Sequence, residues 1–263
     1  MAILNTLDKE TIYSLLERAG ESAQKAGHAL MANKAEWSVV NSNVSRDIKL
    51  QADCEAEAII IAHLQQEHHY PILAEESGWH DHGTSAPEIF WVIDPLDGTA
   101  NFFSEIPFCG PAIALIQHGK PILGAIFDIN HNELFLGATQ IGATLNGEPI
   151  HVRKTSEKSQ ATLMTGFPVN RDFSDEGMIR FAREAAKWKK VRMMGSAALS
   201  LAYVAAGRAD AYHEESIMMW DVAAGLAIVE AAGGCVEFNK TAFDKPLDVS
   251  AGNKLVSVDL KDR

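Results

Sequence analysis

Between residues 6 and 33 the apolar side chains Ile12, Leu15, Leu16, Ala19, Ala23, Ala26 and Leu30 recur close to every 3.6 residues, with Asp8 placed to cap the first turn. This spacing predicts a long amphipathic helix. Residues 37–46 are polar and turn-rich, carrying Asn41, Ser42, Asn43 and Ser45, and helical spacing resumes over 53–66 through Ala56, Ile60, Ile61 and Leu64. Two helices should therefore flank a mobile loop. After Tyr70 the texture changes to short apolar runs broken by Gly, Pro, Asn and Asp, at 71–74, 90–93, 112–117, 122–128 and 133–136, which read as strands. Turn-forming residues at 117–120 and 128–132 make this region largely antiparallel. From Ala161 onward strands (162–165, 190–193, 209–213, 234–237) alternate with helices (175–187, 196–206, 221–232). The predicted fold is an α/β or α+β sandwich of sheets and helix pairs in layers.

Composition narrows the function. The 263 residues are 47% hydrophobic, a globular balance with no Pro/Ser/Gly-rich linker, so we expect one unit over 1–263 with approximate halves at 1–155 and 156–263. With 35 acidic residues against 23 Lys plus Arg, the formal charge is −12. Phosphate neutralisation needs clustered cations, so this argues against a nucleic-acid partner and leaves solubility, or carboxylates gathered around cations. No apolar run approaches the ~18 residues of a membrane span, and the first ten residues lack the basic-then-apolar pattern of a signal peptide. No membrane association and a cytoplasmic location are expected. Cys54, Cys109 and Cys235 are widely spaced and fit neither a disulfide framework nor a zinc site.

The informative segment runs from Phe90 to Phe102. A buried strand ends in Asp94 and Asp97, with Pro95 stiffening the backbone between them and Gly98 permitting close approach. If a helix starts at Thr99, its unpaired N–H groups and that of Gly98 form an anion seat beside the carboxylates. In isolation Asp97-Gly98 would be a turn capped by Asp94. Two further acidic sites change that balance: Glu75-Glu76 ends another short strand, and Asp221 stands at the start of an apolar helix. Strand ends bearing acids converge on one edge. Separated carboxylates with an anion seat suit Mg²⁺, whereas Zn²⁺ would prefer His or Cys. There is no Gly-x-x-x-x-Gly-Lys-Ser/Thr segment, so a metal-assisted phosphomonoesterase is the chemistry that remains. His80-Asp81-His82 sits in a polar loop and reads as solvent-exposed. Lys189, Lys190 and Arg192 read as a charged strand start, and Trp220 as packing that fixes Asp221.

Glu75-Glu76-Ser77, Asp94-Pro-Leu-Asp-Gly-Thr99, Gly195-Ser196-Ala197-Ala198 and Trp220-Asp-Val-Ala-Ala-Gly225, in that order, resemble the inositol monophosphatase family across essentially the whole chain. The resemblance implies a layered αβαβα sandwich and a Mg²⁺-dependent, lithium-sensitive sugar phosphatase, usually a homodimer. It further implies two or three Mg²⁺ ions, replaceable by Mn²⁺: one on Glu75, Asp94 and the Leu96 carbonyl, a second on Asp94, Asp97 and Asp221. Asp53, Thr99 and Glu75 match the catalytic positions, with Asp53 and Thr99 orienting and deprotonating the attacking water. Glu76 matches a supporting residue or a ligand of a weaker third ion. Gly98 and Thr99 would grip the phosphate next to Leu96 and Asp97. Gly195, Ser196, Ala197, Glu214 and Asp221 match positions facing a sugar or inositol ring.

This chain departs from the family where Asp47-Ile-Lys49-Leu50-Gln-Ala-Asp53 carries Leu50 in place of a threonine, and where residues 42–46 hold Arg46 but not the usual lysine. That departure bears on the third ion and on loop closure, not on the first two sites. Asn101-Phe102 and Ile106-Pro107-Phe108-Cys109 resemble the inositol branch more than the 3'(2'),5'-bisphosphate nucleotidase branch. Fructose-1,6-bisphosphatase and histidinol phosphatase activities are the other enzymatic alternatives. A regulatory or binding protein that keeps the fold is the non-enzymatic one. The leaving alcohol is expected to be set by residues 167–172 and Glu214.

Overall fold

The computed structural model describes residues 7–44, 47–66, 69–83, 87–239 and 241–256. Helix α1 (Lys9–Ala32) forms as its periodicity predicts, burying Ile12, Leu15, Ala19, Ala23, Ala26 and Leu30, and Asp8 accepts the Thr11 N–H at 2.8 Å. The expected start at Thr6 lies outside the described residues. After the single turn α2 (Lys34–Trp37), β1 (Val40–Val44) and β2 (Asp47–Leu50) pair as an antiparallel ribbon where a loop was expected. Backbone pairing can shape a polar stretch without leaving any apolar period to read. The expectations placed on Ser45, Arg46 and the side chains of Asp47 and Lys49 lie outside the described residues. Helix α3 (Gln51–Leu64) then packs against α1.

The central sheet is assembled from β3 (Ile72–Ala74), β4 (Gly78–His80) and β5 (Ile89–Asp97), then, after the short helix α4 (Thr99–Phe103), β6 (Gly110–Gln117), β7 (Lys120–Asp128), β8 (Glu133–Ala138), β9 (Gly142–Leu145) and β10 (Glu148–Pro149). Among the described residues its order is β10-β9-β8-β7-β6-β5-β3-β4. It is antiparallel except where β3 runs parallel to β5, the pair that later positions two acids. The second half supplies β11 (Thr162–Met164), α5 (Asp175–Ala185), β12 (Lys190–Arg192), α6 (Ala197–Ala205), β13 (Ala211–Ile217), α7 (Met219–Ala231), β14 (Cys235–Phe238) and β15 (Leu247–Gly252). These strands form a five-stranded sheet in the order β12-β11-β13-β15-β14. Strands β4, β9, β10 and β15 have no counterpart among the predicted runs. In β15 only Leu247 and Val249 are strongly apolar, and its burial comes from lying between β13 and β14.

The elements stack in five layers, the predicted αβαβα sandwich. Helices α1 and α3 cover one face of the eight-stranded sheet, α6 and α7 fill the space between the sheets, and α5 lies over the outer face of the second. Strand β5 shows how alternation serves this arrangement: Trp91 and Ile93 point into the core with α1 and α3, while Phe90 and Val92 point into the core with α6 and α7. Helix α7 is buried from Val222 to Val229 without a polar stripe, as expected of a helix enclosed by two sheets. No helix among the described residues is long and apolar enough to cross a membrane.

The approach of α7 to the central sheet depends on Gly124 in β7, where an added Cβ would lie 2.2 Å from the Ala224 carbonyl oxygen. Backbone on both sides cannot give way. Gly124→Ala should therefore cost about 3 kcal/mol through overpacking, whereas Gly83→Ala, which has no atom within 4 Å of the new Cβ, should change stability by less than ~0.5 kcal/mol. Urea denaturation of both variants checks this, and equal midpoints would disprove the proposed contact.

Candidate metal and phosphate site

Strand β5 keeps register with β6 from Ile89 opposite Gln117 to Asp94 opposite Ala112, then shifts so that Asp97 faces Gly110. One extra residue is accommodated at Pro95-Leu96, and Asp94 Oδ1 closes the kink by accepting the Leu96 N–H at 2.9 Å. Parallel pairing sets Ala74 beside Ile93, so Glu75 leaves β3 next to Asp94. Helix α7 begins just after Met218, whose N–H donates to Asp221 Oδ2 at 3.1 Å in the helix's first turn. These three chain ends bring one carboxylate oxygen each from Glu75, Asp94 and Asp221 within 4.8 Å of one another.

Such a cluster is costly in a bare protein. Burial, reinforced by the charge of Asp221 and only partly offset by a side-chain hydrogen bond with Asp94, holds Glu75 well above the usual carboxylate range. Burial also raises Asp94, with Glu75, Asp97 and Asp221 adding repulsion. Only oxygen is offered, and a hard divalent cation of the Mg²⁺ type fits both that donor set and the uncompensated charge.

Asp97 stands beside this group but is held from the opposite side. Its Oδ2 accepts the Ser196 hydroxyl at 2.5 Å and the Ala198 N–H at 2.6 Å, at the N-terminus of α6. Burial pushes its carboxyl up to about 6 in spite of those donors. Gly98 follows with φ +89°, and a Cβ there would lie 3.0 Å from the Phe108 carbonyl oxygen. Glycine is required by both the dihedral and the space. The turn starts α4 at Thr99, as the anion-seat argument anticipated. The Thr99 hydroxyl lies 2.9 Å from Asp53 Oδ1 and 3.0 Å from the Leu96 carbonyl oxygen. Asp53, on the first turn of α3, accepts the Leu50 N–H at 2.6 Å, and burial raises its carboxyl to about 6.

A cleft of about 440 Å³ opens onto Glu75, Asp97, Gly98, Thr99, Gly195, Ser196, Ala197, Glu214 and Asp221 together. Asp94 lies behind Glu75 and Asp221, Asp53 behind Thr99, and Leu96 is buried below them. Glu76 is not on the cleft wall, and its N–H donates to Glu57 at 2.9 Å. Glu214 is buried, with its carboxyl pushed up to about 8 by burial despite the Tyr212 hydroxyl beside it. Trp220 packs against the core between the sheets, as expected, and also lines the cleft. His82 is exposed as expected, whereas His80 does not lie in a loop but ends β4 and is only partly exposed.

Thr165, Phe167, Val169, Asn170 and Met218 complete the wall. Phe167, Val169 and Asn170 belong to the 167–172 segment expected to face the leaving group, whereas Thr165 and Met218 had no local signature. Arg171 is buried behind it with its guanidinium 5.0 Å from the ring centres of both Phe167 and Phe181. The Asn101 amide donates to the Phe108 and Met194 carbonyls at 2.8 and 2.7 Å, joining the α4 segment to the approach to α6.

Comparison with known proteins agrees with this geometry. The inositol monophosphatase family pattern matches residues 11–258. The chain is 40% identical to the inositol-1-monophosphatase of Synechocystis sp. over 214 residues, covering 80% of this chain and 72% of the relative. It is 39% identical over 220 residues to a Xylella fastidiosa protein named Nus factor SuhB, covering 82% of this chain and 78% of that protein. The solved inositol monophosphatase of Anabaena (Nostoc) sp. PCC 7120 superposes with a TM-score of 0.80 at 36% identity, over 93% of this chain and 92% of the other. Matched along nearly its whole length and in its fold, the chain belongs to the inositol monophosphatase family.

Proposed function

We propose that this protein is a Mg²⁺-dependent phosphomonoesterase that hydrolyses an inositol or sugar monophosphate by direct attack of water on phosphorus. The observation that carries the reading is the convergence of Glu75, Asp94 and Asp221 within 4.8 Å, next to the Asp53–Thr99 pair. Glu75, Asp94 and the Leu96 carbonyl would hold one Mg²⁺ and Asp94, Asp97 and Asp221 a second, with Mn²⁺ as a substitute and Glu76 serving a weaker third ion. Bound there, the cations supply charge stabilisation for the attacking and leaving oxygens of an in-line displacement.

The rest is work for the chain's own groups. The Thr99 hydroxyl donates to Asp53 Oδ1, which leaves its lone pairs to accept a proton from the attacking water; the proton passes on to Asp53. A carboxyl at about 6 is a stronger base than an ordinary carboxylate and is still largely ionised at neutral pH. The N–H groups of Gly98 and Thr99 face the phosphoryl oxygens, and Gly195, Ser196, Ala197 and Glu214 orient the ring that leaves. A homodimer in the cytoplasm, with a small phosphorylated polyol as its partner and neither nucleic acid nor membrane, completes this reading. A second reading, a non-catalytic role, is favoured by the name Nus factor SuhB carried by the Xylella fastidiosa relative. It predicts a folded protein without turnover.

Asp94→Asn should lower phosphate release by about 10³-fold or more with the fold retained by circular dichroism, since Asp94 serves both ions. Activity within tenfold of the parent would exclude that role. A panel of inositol-1-phosphate, fructose-1,6-bisphosphate, histidinol phosphate and adenosine 3',5'-bisphosphate should give its highest kcat/KM with the inositol ester, activated by Mg²⁺ and inhibited by Li⁺. No turnover on any of them would favour the second reading. The pH dependence follows from Asp53 and Asp97, each near 6 in the fold against 3.8 when free. The metal-free folded state holds more protons than the unfolded state across that window, so its stability falls as pH rises through it and levels off above. Cations need the deprotonated acids, so the Mg²⁺-induced rise in Tm should be larger at pH 7.5 than at pH 5; equal rises would contradict the assignment.

A further inference from the structure

Glu57 lies on α3 four residues beyond Asp53 and is only 4% exposed. Its carboxylate is filled by one short turn: Oε2 accepts the Glu76 N–H at 2.9 Å, and Oε1 accepts the Ser77 N–H at 3.1 Å together with the Ser77 hydroxyl. Having given its proton to Glu57, the Ser77 oxygen accepts from His80 Nε2 at 2.5 Å. None of Glu57, Glu76, Ser77 or His80 lines the cleft. The network therefore acts on the cleft through the backbone of the turn. That turn also carries Glu75, whose own N–H is tied to the Ile93 carbonyl of β5 at 3.2 Å.

We infer that Glu57 is a positioning residue for the cation site: it clamps the Glu75–Ser77 turn onto α3, so that the helix holding Asp53 against Thr99 also fixes the carboxylate of Glu75 within the acidic cluster. The inference rests on the Mg²⁺ reading above. Its chemistry is specific to a carboxylate, because two acceptor oxygens face three donors. In Glu57→Gln whichever oxygen becomes the amide turns a donor toward a donor, and at least one N–H of the turn loses its partner. Ser77→Ala removes only one of the three bonds and leaves the carboxylate and both backbone donors in place.

The test is a Mg²⁺ titration of the melting temperature at pH 7.5 with the full chain, alongside melting in EDTA. The Mg²⁺ concentration at half-maximal stabilisation should rise about tenfold or more in Glu57→Gln and by a smaller factor in Ser77→Ala, as for other residues that orient metal ligands. At saturating Mg²⁺ phosphate release should return to within about threefold of the parent, the split expected when ligand placement rather than the reacting groups is disturbed. A merely structural role would lower every melting temperature and leave the Mg²⁺ midpoint where it was. A folded Glu57→Gln with a midpoint within about twofold of the parent overturns the inference. If that variant does not fold, an unmoved midpoint in Ser77→Ala overturns it. A parent that does not respond to Mg²⁺ overturns the metal reading itself, and the inference falls with it.

Discussion

Mutual repulsion among buried and half-buried carboxylates is the constraint around which this molecule is organised. Glu75, Asp94 and Asp221 crowd together with Asp97 and Asp53 close by, and burial raises four of these five acids above their free values. A chain left to itself would separate them. They are kept together by three rigid chain ends and by donors aimed at individual oxygens: the Leu96 N–H on Asp94, the Ser196 hydroxyl and Ala198 N–H on Asp97, the Leu50 N–H on Asp53 and the Met218 N–H on Asp221. Those bonds orient the acids without neutralising them. A tightly bound cation is the natural complement to charge that has been oriented but not neutralised.

The layers explain how such rigidity is obtained. The cleft sits where β3 and β5, the parallel pair of the central sheet, end beside the first turns of α6 and α7. Both helices are enclosed between the two sheets, so the ends that bear Ser196 and Asp221 cannot drift independently of β5. From the other face of the sheet α3 reaches the same place, delivering Asp53 to Thr99 and Glu57 to the turn after β3. The walls of the cleft are thus anchored in several layers at once. The segment from Thr165 to Asn170 is the exception, a connection held from behind by Arg171 between two aromatic rings.

Two kinds of information lay in the sequence to different degrees. Helical periodicity identified α1 and α3, and apolar runs bounded by turn residues identified α6, α7 and the inner strands β5 to β8, because burial on one face leaves a period and burial all round leaves an apolar stretch. Acids just beyond strand ends, with Gly98 and Thr99 after Asp97, marked the cleft for the same reason that they work there: close approach and an exposed helix start demand particular residues. The β1–β2 ribbon left no such trace, since its pairing is by backbone. Nor did β15, five of whose six residues are buried, against neighbours more than 20 positions away in β13.

The amino-acid sequence by itself determined the principal helices, the inner strands and the residue types that could carry chemistry, because these depend on local spacing and side-chain atoms. Only the tertiary structure decided that Asp97 turns toward α6, that Thr99 bridges Asp53 and the Leu96 carbonyl, that Trp220 faces the cleft and that Glu57 grips the turn after Glu75. The Thr99–Leu96 step apart, each of those depends on segments distant in the chain and on how the layers stack, and no periodicity or motif encodes a distance of that kind.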